Sequence, residues 1–600
     1  MISQTFVSVA QTKNAGEKDS LQQVEPNESF YKRDASLRWI RELRNVIIVS
    51  PKNEATDSFN IESSSDIYLD AKGLTIISIR IVRLKPFGAS LTDTVFNNVK
   101  VLGRVGNAIH VNTGEFIIRN ALMFKEGEKV DGLKLAYSER YLRSLRYIND
   151  VRIFAVPVSD EEAEVTVIVR DIFPYTVDFG TNFESRLNFS ITNRNLLGLG
   201  LEVNAGAFMD SRKDHLMGYV AKLRIHNIGR SFISFQADYL DRYENRRLGF
   251  TLRRDFHSPA TKYAGHLIYY KARTPVRYIV PDVQWFTIKP ITVSFKHLDA
   301  WLGRSFQIKN NRFIRQQRNI TVSLGAQHMY FTDRPEKSEE HYYRFQNRTT
   351  FLSSFTYSQR AFYKANLIYN FGRTEDIPYG YQLSVVGGKE VNEMYNRPYF
   401  GANYSSGYFI PGFGYLSGTV SYGSFFRKVP DQGIINLEMN YFTNLYVLGR
   451  FRPRTFLNGQ YTRQLYNPLN DRLVIDGVHG IPGFRNDSIM GRKRFNLSVE
   501  QNFFTPWNFY EFRFVLYAFA YLSWLGDYDK PVLLSPLYSS FGFGIRIRNN
   551  RLVFSTLQIQ FAYFPNIPKN SRFHYITFSK ETVLQPRDFI PKAPDVIPMY

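Results

Sequence analysis

Cysteine is missing from all 600 residues. Its absence removes disulfide staples, thiolate metal sites and thiol catalysis together. Long apolar runs are missing too. The best, Phe514 to Leu522, is nine residues long, and a membrane-crossing helix needs about 18. A helical membrane protein is thereby excluded, whereas a membrane β-barrel is not, because its signal is alternation rather than hydropathy. Catalytic signatures are also lacking: there is no G-x-S-x-G, no P-loop and no dinucleotide fingerprint. The ten histidines are scattered, which does not make a zinc helix. The expectation is a protein that is not an enzyme, with no catalytic residue, no metal and no cofactor.

What is present is aromatic and basic. Phe, Tyr and Trp make up 16% of the chain, the hydrophobic fraction is 44% and the mean hydropathy is −0.29. That is enough apolar material for a large fold, so a disordered chain is excluded. The net charge of +22 is dispersed along the sequence. Nucleic acid needs a concentrated basic patch and is not an expected partner.

The first residues lack a basic n-region. Ser8-Val9-Ala10 before Gln11 reads either as the tail of a clipped signal or as an ordinary polar start. Residues 1–73 are read as a linker with one unplaced strand-like piece, Asn45 to Val49. From 74 to 172 the pattern becomes strand, helix, helix, strand, strand: Leu74 to Leu84, a helix opened by Thr113-Gly114-Glu115 and running to Met123, Leu133 to Leu145, Val151 to Val158, and Ala163 to Val169. This is a small α+β domain.

From 176 to 580 no helical period persists and a period of two takes over. Phe495, Leu497 and Val499 alternate with Asn496, Ser498 and Glu500, and Phe541, Phe543, Ile545 and Ile547 alternate with Gly542, Gly544, Arg546 and Arg548. The same beat recurs at Ile435/Leu437/Met439/Tyr441, Leu557/Ile559/Phe561/Tyr563 and Tyr219/Ala221/Leu223/Ile225. Each set occupies one face of a sheet. A soluble β-sandwich is the alternative. Two features favour a transmembrane barrel: the length of the repeated strand-and-turn texture, and an apolar face rich in Phe and Tyr. Lys222, Arg224, Arg546 and Arg548 fall on the polar, lumenal face. They are expected to pair there with Asp238, Glu438 and Glu500, a cation-lined pore being the other reading.

Two stretches carry a resemblance. Ser138 to Ile153, with the turn Phe124-Lys125-Glu126-Gly127-Glu128 before it, resembles the second helix and following strand of a polypeptide-transport-associated (POTRA) domain. Gly477-Val478-His479-Gly480-Ile481-Pro482-Gly483-Phe484-Arg485, followed by Arg492 to Phe503, resembles the sixth extracellular loop and next strand of BamA/TamA-type outer-membrane assembly barrels. The resemblance implies a mainly β fold: a 16-stranded antiparallel transmembrane β-barrel preceded by a POTRA-like domain. Five strand-like windows follow the loop, as the family pattern requires. The Pro-rich tail 581–600 has no counterpart in that pattern, and strand parity assigns it to the periplasm.

The resemblance also implies roles. The loop residues Gly480, Pro482, Gly483, Phe484 and Arg485 should fold into the lumen and brace it. Pro482 stands where the family has a wall-reaching arginine, so Arg485 is the substitute, with Glu500 as its lumen partner. Val151, Ile153 and Ala155 lie on an edge strand that could pair with an extended client. The barrel seam would join a first strand at Leu187, Phe189 and Ile191 to a last strand at Tyr575 and Phe578. The implied activity is assembly of outer-membrane proteins from unfolded polypeptide. A dedicated secretion pore and a transport-inactive scaffold are the alternatives. The implied partners are unfolded outer-membrane or secreted polypeptide, outer-membrane lipid and periplasmic lipoproteins.

Overall fold

The computed structural model describes residues 68–88, 101–181, 186–211, 217–281, 286–308, 317–335, 345–369, 374–466, 472–477, 480–486, 489–509, 512–549, 557–566, 568, 571–573, 575–580 and 588–597. Most of the linker 1–73, including Asn45 to Val49, lies outside them, as does His479. No described helix is long and apolar enough to cross a membrane.

The first folded unit runs β1 (Thr75–Leu84), α1 (Val101–Ile109), α2 (Glu115–Asn120), α3 (Gly132–Ser144), β2 (Ile148–Pro157) and β3 (Glu162–Asp171). Its sheet has the order β1-β3-β2, with β1 parallel and β2 antiparallel to the central β3. Ile76, Ile79, Val151, Ile153, Val165 and Val167 project from the sheet into one core with Ile118, Leu135 and Leu142 from the helices and Leu122 from the turn after α2. The Asp131 carboxylate caps α3 by accepting from the Leu133 N–H at 2.9 Å. Thr113, expected to cap α2, does not. Its N–H and hydroxyl both donate to Asp171, at 2.7 and 2.9 Å, and Gly114 takes the cap position. α2 also stops at Asn120, short of Met123. Helix α1 carries no sequence signal because Gly103, Gly106 and Asn107 are poor helix formers.

A second sheet follows. β4 (Tyr175–Thr181), β5 (Arg186–Leu196), β6 (Leu201–Asp210), β7 (Met217–Ile225), β8 (Ser234–Arg242) and β9 (Asn245–Arg254) are short strands. Taller ones come next: β10 (Tyr263–Pro281), β11 (Phe286–Ile308), β12 (Gln317–Asp333), β13 (Arg348–Ala365), β14 (Glu375–Asn392), β15 (Asn396–Ile410), β16 (Gly414–Phe426), β17 (Pro430–Thr443) and β18 (Arg452–Gln464). The two-residue β19 (Phe484–Arg485) lies in a long loop before β20 (Lys493–Phe509), β21 (Phe512–Gly526), β22 (Leu537–Asn549) and β23 (Leu557–Tyr563). The last pieces are β24 (Arg572–Phe573) and β25 (Ile576–Lys580). All but β19 and β24 join one sheet, whose strand order runs around a closed barrel of twenty strands.

Sixteen strands were expected. The five after the long loop are as anticipated, and the surplus lies upstream, where six short strands sit between Tyr175 and Arg254. The count of sixteen came from the resemblance and not from these residues. Successive turns lie at alternate ends of the barrel. Those following β5, β7, β9 and β13 meet the small domain, which defines a domain end and a far end. Within the tail, the described segment 588–597 runs along the inner wall of the barrel. Its apolar residues pack against lumenal side chains, with Val596 against Leu352, Val386, Tyr399 and Phe425.

Candidate functional site

The barrel is inverted relative to a water-soluble fold. Along β13, Thr350, Ser354, Thr356 and Ser358 are buried, whereas Phe351 and Phe355 are 54% and 51% exposed. Along β22, Phe541 and Phe543 face out and Arg546 is buried. Val177, Phe179, Leu324, Leu437 and Phe561 continue the apolar exterior on other strands. Water would penalise such a surface, and lipid would not. The strand order is that of a barrel, in which backbone groups are satisfied between strands rather than by water. The architecture is therefore that of a barrel in lipid with a polar lumen.

The long loop folds into that lumen. Ile481 and Phe484 join Leu473 and Ile475 in a cluster with Tyr517, Phe519 and Leu525, which project inward from β21. Loop geometry depends on glycine at two places. Gly483 has φ +81°, a conformation that costs an L-residue about 1–2 kcal/mol. A Cβ on Gly480 would lie 2.4 Å from the Ile475 carbonyl oxygen. Phe484 and Arg485 pair as β19 with Phe573 and Arg572 of β24, tying the loop to the segment before the last strand. Asn486 adds a hydrogen bond from Nδ2 to Ser571 Oγ at 2.8 Å.

The arginine contact expected of this loop has the opposite polarity. Arg494, on the lumenal face of β20, donates from Nη1 to the Val474 carbonyl of the loop at 2.6 Å. Glu500 belongs to a different arginine. Arg546 of β22 grips both its oxygens, at 2.6 and 2.7 Å. Asp238 faces Arg247 at 3.2 Å, and Glu438 accepts from Asn440 at 2.9 Å. Two of the expected carboxylates thus pair with arginines, Asp238 with one on the neighbouring β9 and Glu500 with one two strands away on β22, partnerships that alternation alone could not specify.

At the domain end, α3 sits against the barrel through ion pairs. Lys364 Nζ lies 2.6 Å from Glu139 Oε1, and Arg143 holds Asp376 through Nη2 at 2.6 and 2.8 Å while also pairing with Glu139. Burial on its own would raise the Glu139 carboxyl; Lys364 and Arg143 outweigh it and hold the group down at about 2. Elsewhere around the mouth, the Gly114 N–H donates to the Gly198 carbonyl at 2.8 Å, and Arg230 donates to the Phe124 carbonyl at 2.7 Å. His257, in the turn between β9 and β10, lies edge-on 4.7 Å from Tyr141.

β2, with Val151, Ile153 and Ala155, is an edge strand of the small sheet. Its outward backbone groups are partly taken. The Ile153 N–H donates to Glu139 Oε2 at 3.1 Å, the Ile153 carbonyl accepts from the Tyr68 hydroxyl at 3.2 Å, and the Val151 carbonyl accepts from Arg143 at 3.3 Å. Glu139 and Arg143, which dock the domain, therefore also cap part of its edge.

At the seam, the first strand is β4, one strand earlier than expected. Leu187, Phe189 and Ile191 lie on β5, where they pair with Thr181, Phe179 and Val177. The last strand, β25, contains Phe578 paired with Ile559, and Tyr575 precedes it. β4 has seven described residues and β25 five, against 13 to 23 in the tall strands β10 to β18 and β20 to β22.

No family model matches the chain, and no curated relative does. Among solved structures, it is similar to BamA from Haemophilus ducreyi lacking POTRA domains 1–3, at 12% identity, over 84% of each chain, with a TM-score of 0.31. It is also similar to CdiB from Acinetobacter baumannii, at 12% identity, over 84% of this chain and 73% of that one, with a TM-score of 0.37. CdiB from Escherichia coli shares 12% identity over 93% of this chain and 98% of that one, with a TM-score of 0.38. The architecture rests on the strand order and burial given above.

Proposed function

We propose that this chain is an outer-membrane assembly factor. The small domain is a POTRA-like unit that receives unfolded polypeptide in the periplasm, and the barrel aids its insertion into the outer membrane at the seam between β4 and β25. The observation that carries this reading is the contrast in strand length. A barrel wall is held by its ladder of inter-strand hydrogen bonds, and among the described residues the seam strands contribute seven and five, with β23 beside them also seven, where the tall strands contribute 13 to 23. A client strand can pair with such an edge through main-chain groups, with little demand on sequence. No covalent chemistry is required of the protein.

A second reading, a dedicated polypeptide secretion pore, is favoured by one observation: an extended segment, 588–597, already fits inside the lumen. Outer-membrane proteomics after depletion of the protein from its native cell separates the two. General assembly predicts loss of many unrelated barrels. Loss of one or two secreted or surface proteins, with other barrels intact, would replace that reading with the pore.

A further inference from the structure

We infer that the lumen wall is a binding surface for an extended, proline-containing peptide, and that its occupant is the chain's own segment 588–597. This segment has neither helix nor strand. Ten extended residues reach about 33 Å, comparable with the hydrocarbon thickness of about 30 Å. Its contacts run in sequence from the domain end toward the far end. Asp588 accepts from Arg140 of α3 at 2.5 Å and lies 3.6 Å from Arg360 of β13. Ile590 and Ala593 pack on Phe256, Ala264 and Trp301, close to the start of β10. Val596 reaches Tyr399 and Phe425, paired near the far ends of β15 and β16. The Ile597 N–H then donates to the Tyr399 hydroxyl at 2.8 Å.

The wall is shaped for this occupant. Its inner face is polar in general, yet Trp301, Leu352, Val386 and Phe425 present apolar surface where the segment passes. Phe589, only 1% exposed, is the segment's aromatic anchor. Glycines open the track. A Cβ on Gly325 would lie 3.0 Å from Pro594, one on Gly407 would lie 3.0 Å from Phe589, and one on Gly423 would lie 2.9 Å from Ile597. Tyr415 and Tyr399 crowd the last two positions further.

The chemistry is that of a reversible plug. Apolar anchors are separated by Pro591 and Pro594, which reduce the entropy lost on ordering. Polar contacts are few, with the ion pairs of Asp588 at the foot. Another extended polypeptide with spaced apolar residues can compete for the same track, so the segment must leave before cargo of either kind occupies the lumen. This holds for an assembly factor and for a pore.

Two measurements test it. Because the chain has no cysteine, Leu352→Cys with Val596→Cys, whose side chains share one apolar cluster, introduces a single thiol pair. Mild oxidation in native membranes should join them, read as loss of free thiol by mass spectrometry; failure to form the bond would overturn the placement. Second, a chain ending at Arg587, checked as a folded barrel by its heat-dependent gel mobility, should carry a several-fold larger current in planar bilayers than the full chain. A synthetic peptide of residues 588–600 added at the domain side should bring the current back down, and a peptide with Phe589→Ser and Val596→Ser should not. Equal currents with and without the segment, or no effect of the peptide on the truncated barrel, would refute the plug.

Discussion

Lys364, near the domain end of β13, places its ammonium 2.6 Å from Glu139 on α3, and the other oxygen of Glu139 accepts the edge-strand N–H of Ile153 at 3.1 Å. One buried carboxylate therefore joins the docking of the small domain to the capping of its edge. Glu139→Ala leaves Arg143 and Lys364 without that partner and uncovers the Ile153 N–H. Breaking a buried pair in this way costs about 3–5 kcal/mol. Lys364→Ala, which leaves Arg143 on Glu139, should cost less, about 2 kcal/mol. Hydrogen exchange at Ile153 checks both: exchange should accelerate strongly in Glu139→Ala and weakly in Lys364→Ala.

Acid should loosen the same junction in two stages. Burial against Tyr141 and Phe232 keeps His257 neutral and lowers its pKa to about 4, from an ordinary 6.5. Its stabilisation is complete above pH 6.5 and is lost as pH falls toward 4. Glu139, depressed to about 2 from 4.5, contributes above pH 4.5 and loses its contribution as pH falls through 2; that shift is worth about 3 kcal/mol. Thermal unfolding followed from pH 7 to pH 3 should show a first decline below pH 6.5 that His257→Phe removes.

Phe484 anchors the lumenal loop and is 4% exposed. Phe484→Ala should cost about 3–5 kcal/mol, the usual range for emptying a buried aromatic site. Gly483→Ala should cost about 1–2 kcal/mol through its left-handed backbone. Limited proteolysis within 473–491 should accelerate in that order, with the barrel itself intact.

Arg546 and Glu500 form the lumenal pair best suited to a double-mutant cycle. Arg546→Met alone strands a partly buried carboxylate and should be the costlier change. Adding Glu500→Gln should recover part of the loss, because the unpaired charge is then gone. Additive losses would show that the pair is not coupled.

Much of this architecture was legible in the sequence. The period of two across Phe495 to Glu500 and Phe541 to Arg548 correctly assigned which side chains face in, because strand geometry admits only two faces. The long helix from Leu133 and the five strands after the loop also emerged where the pattern placed them. What the sequence could not specify was partnership across strands. Glu500 was matched to Arg485 as a lumen-facing carboxylate near the loop, whereas Arg546, two strands away on β22, grips it. Arg494 lay on the polar face in plain sight, yet only the inward path of the loop makes it a brace. The first strand was missed because Tyr175 to Thr181 is brief and abuts the preceding domain. The lumenal course of the tail was not legible because Phe589, Ile590, Val596 and Ile597 lie among prolines and their packing depends on residues contributed by six different strands.

The central claim is that the seam between β4 and β25 is where polypeptide engages. A photoreactive phenylalanine analogue at Phe179, on the lipid-facing side of β4 and 66% exposed, tests it during synthesis of outer-membrane proteins in the native cell. The account predicts adducts with client polypeptides at Phe179 and none from the same analogue at Leu324, on the exterior of β12. Adducts at both positions alike, or at neither, would contradict it.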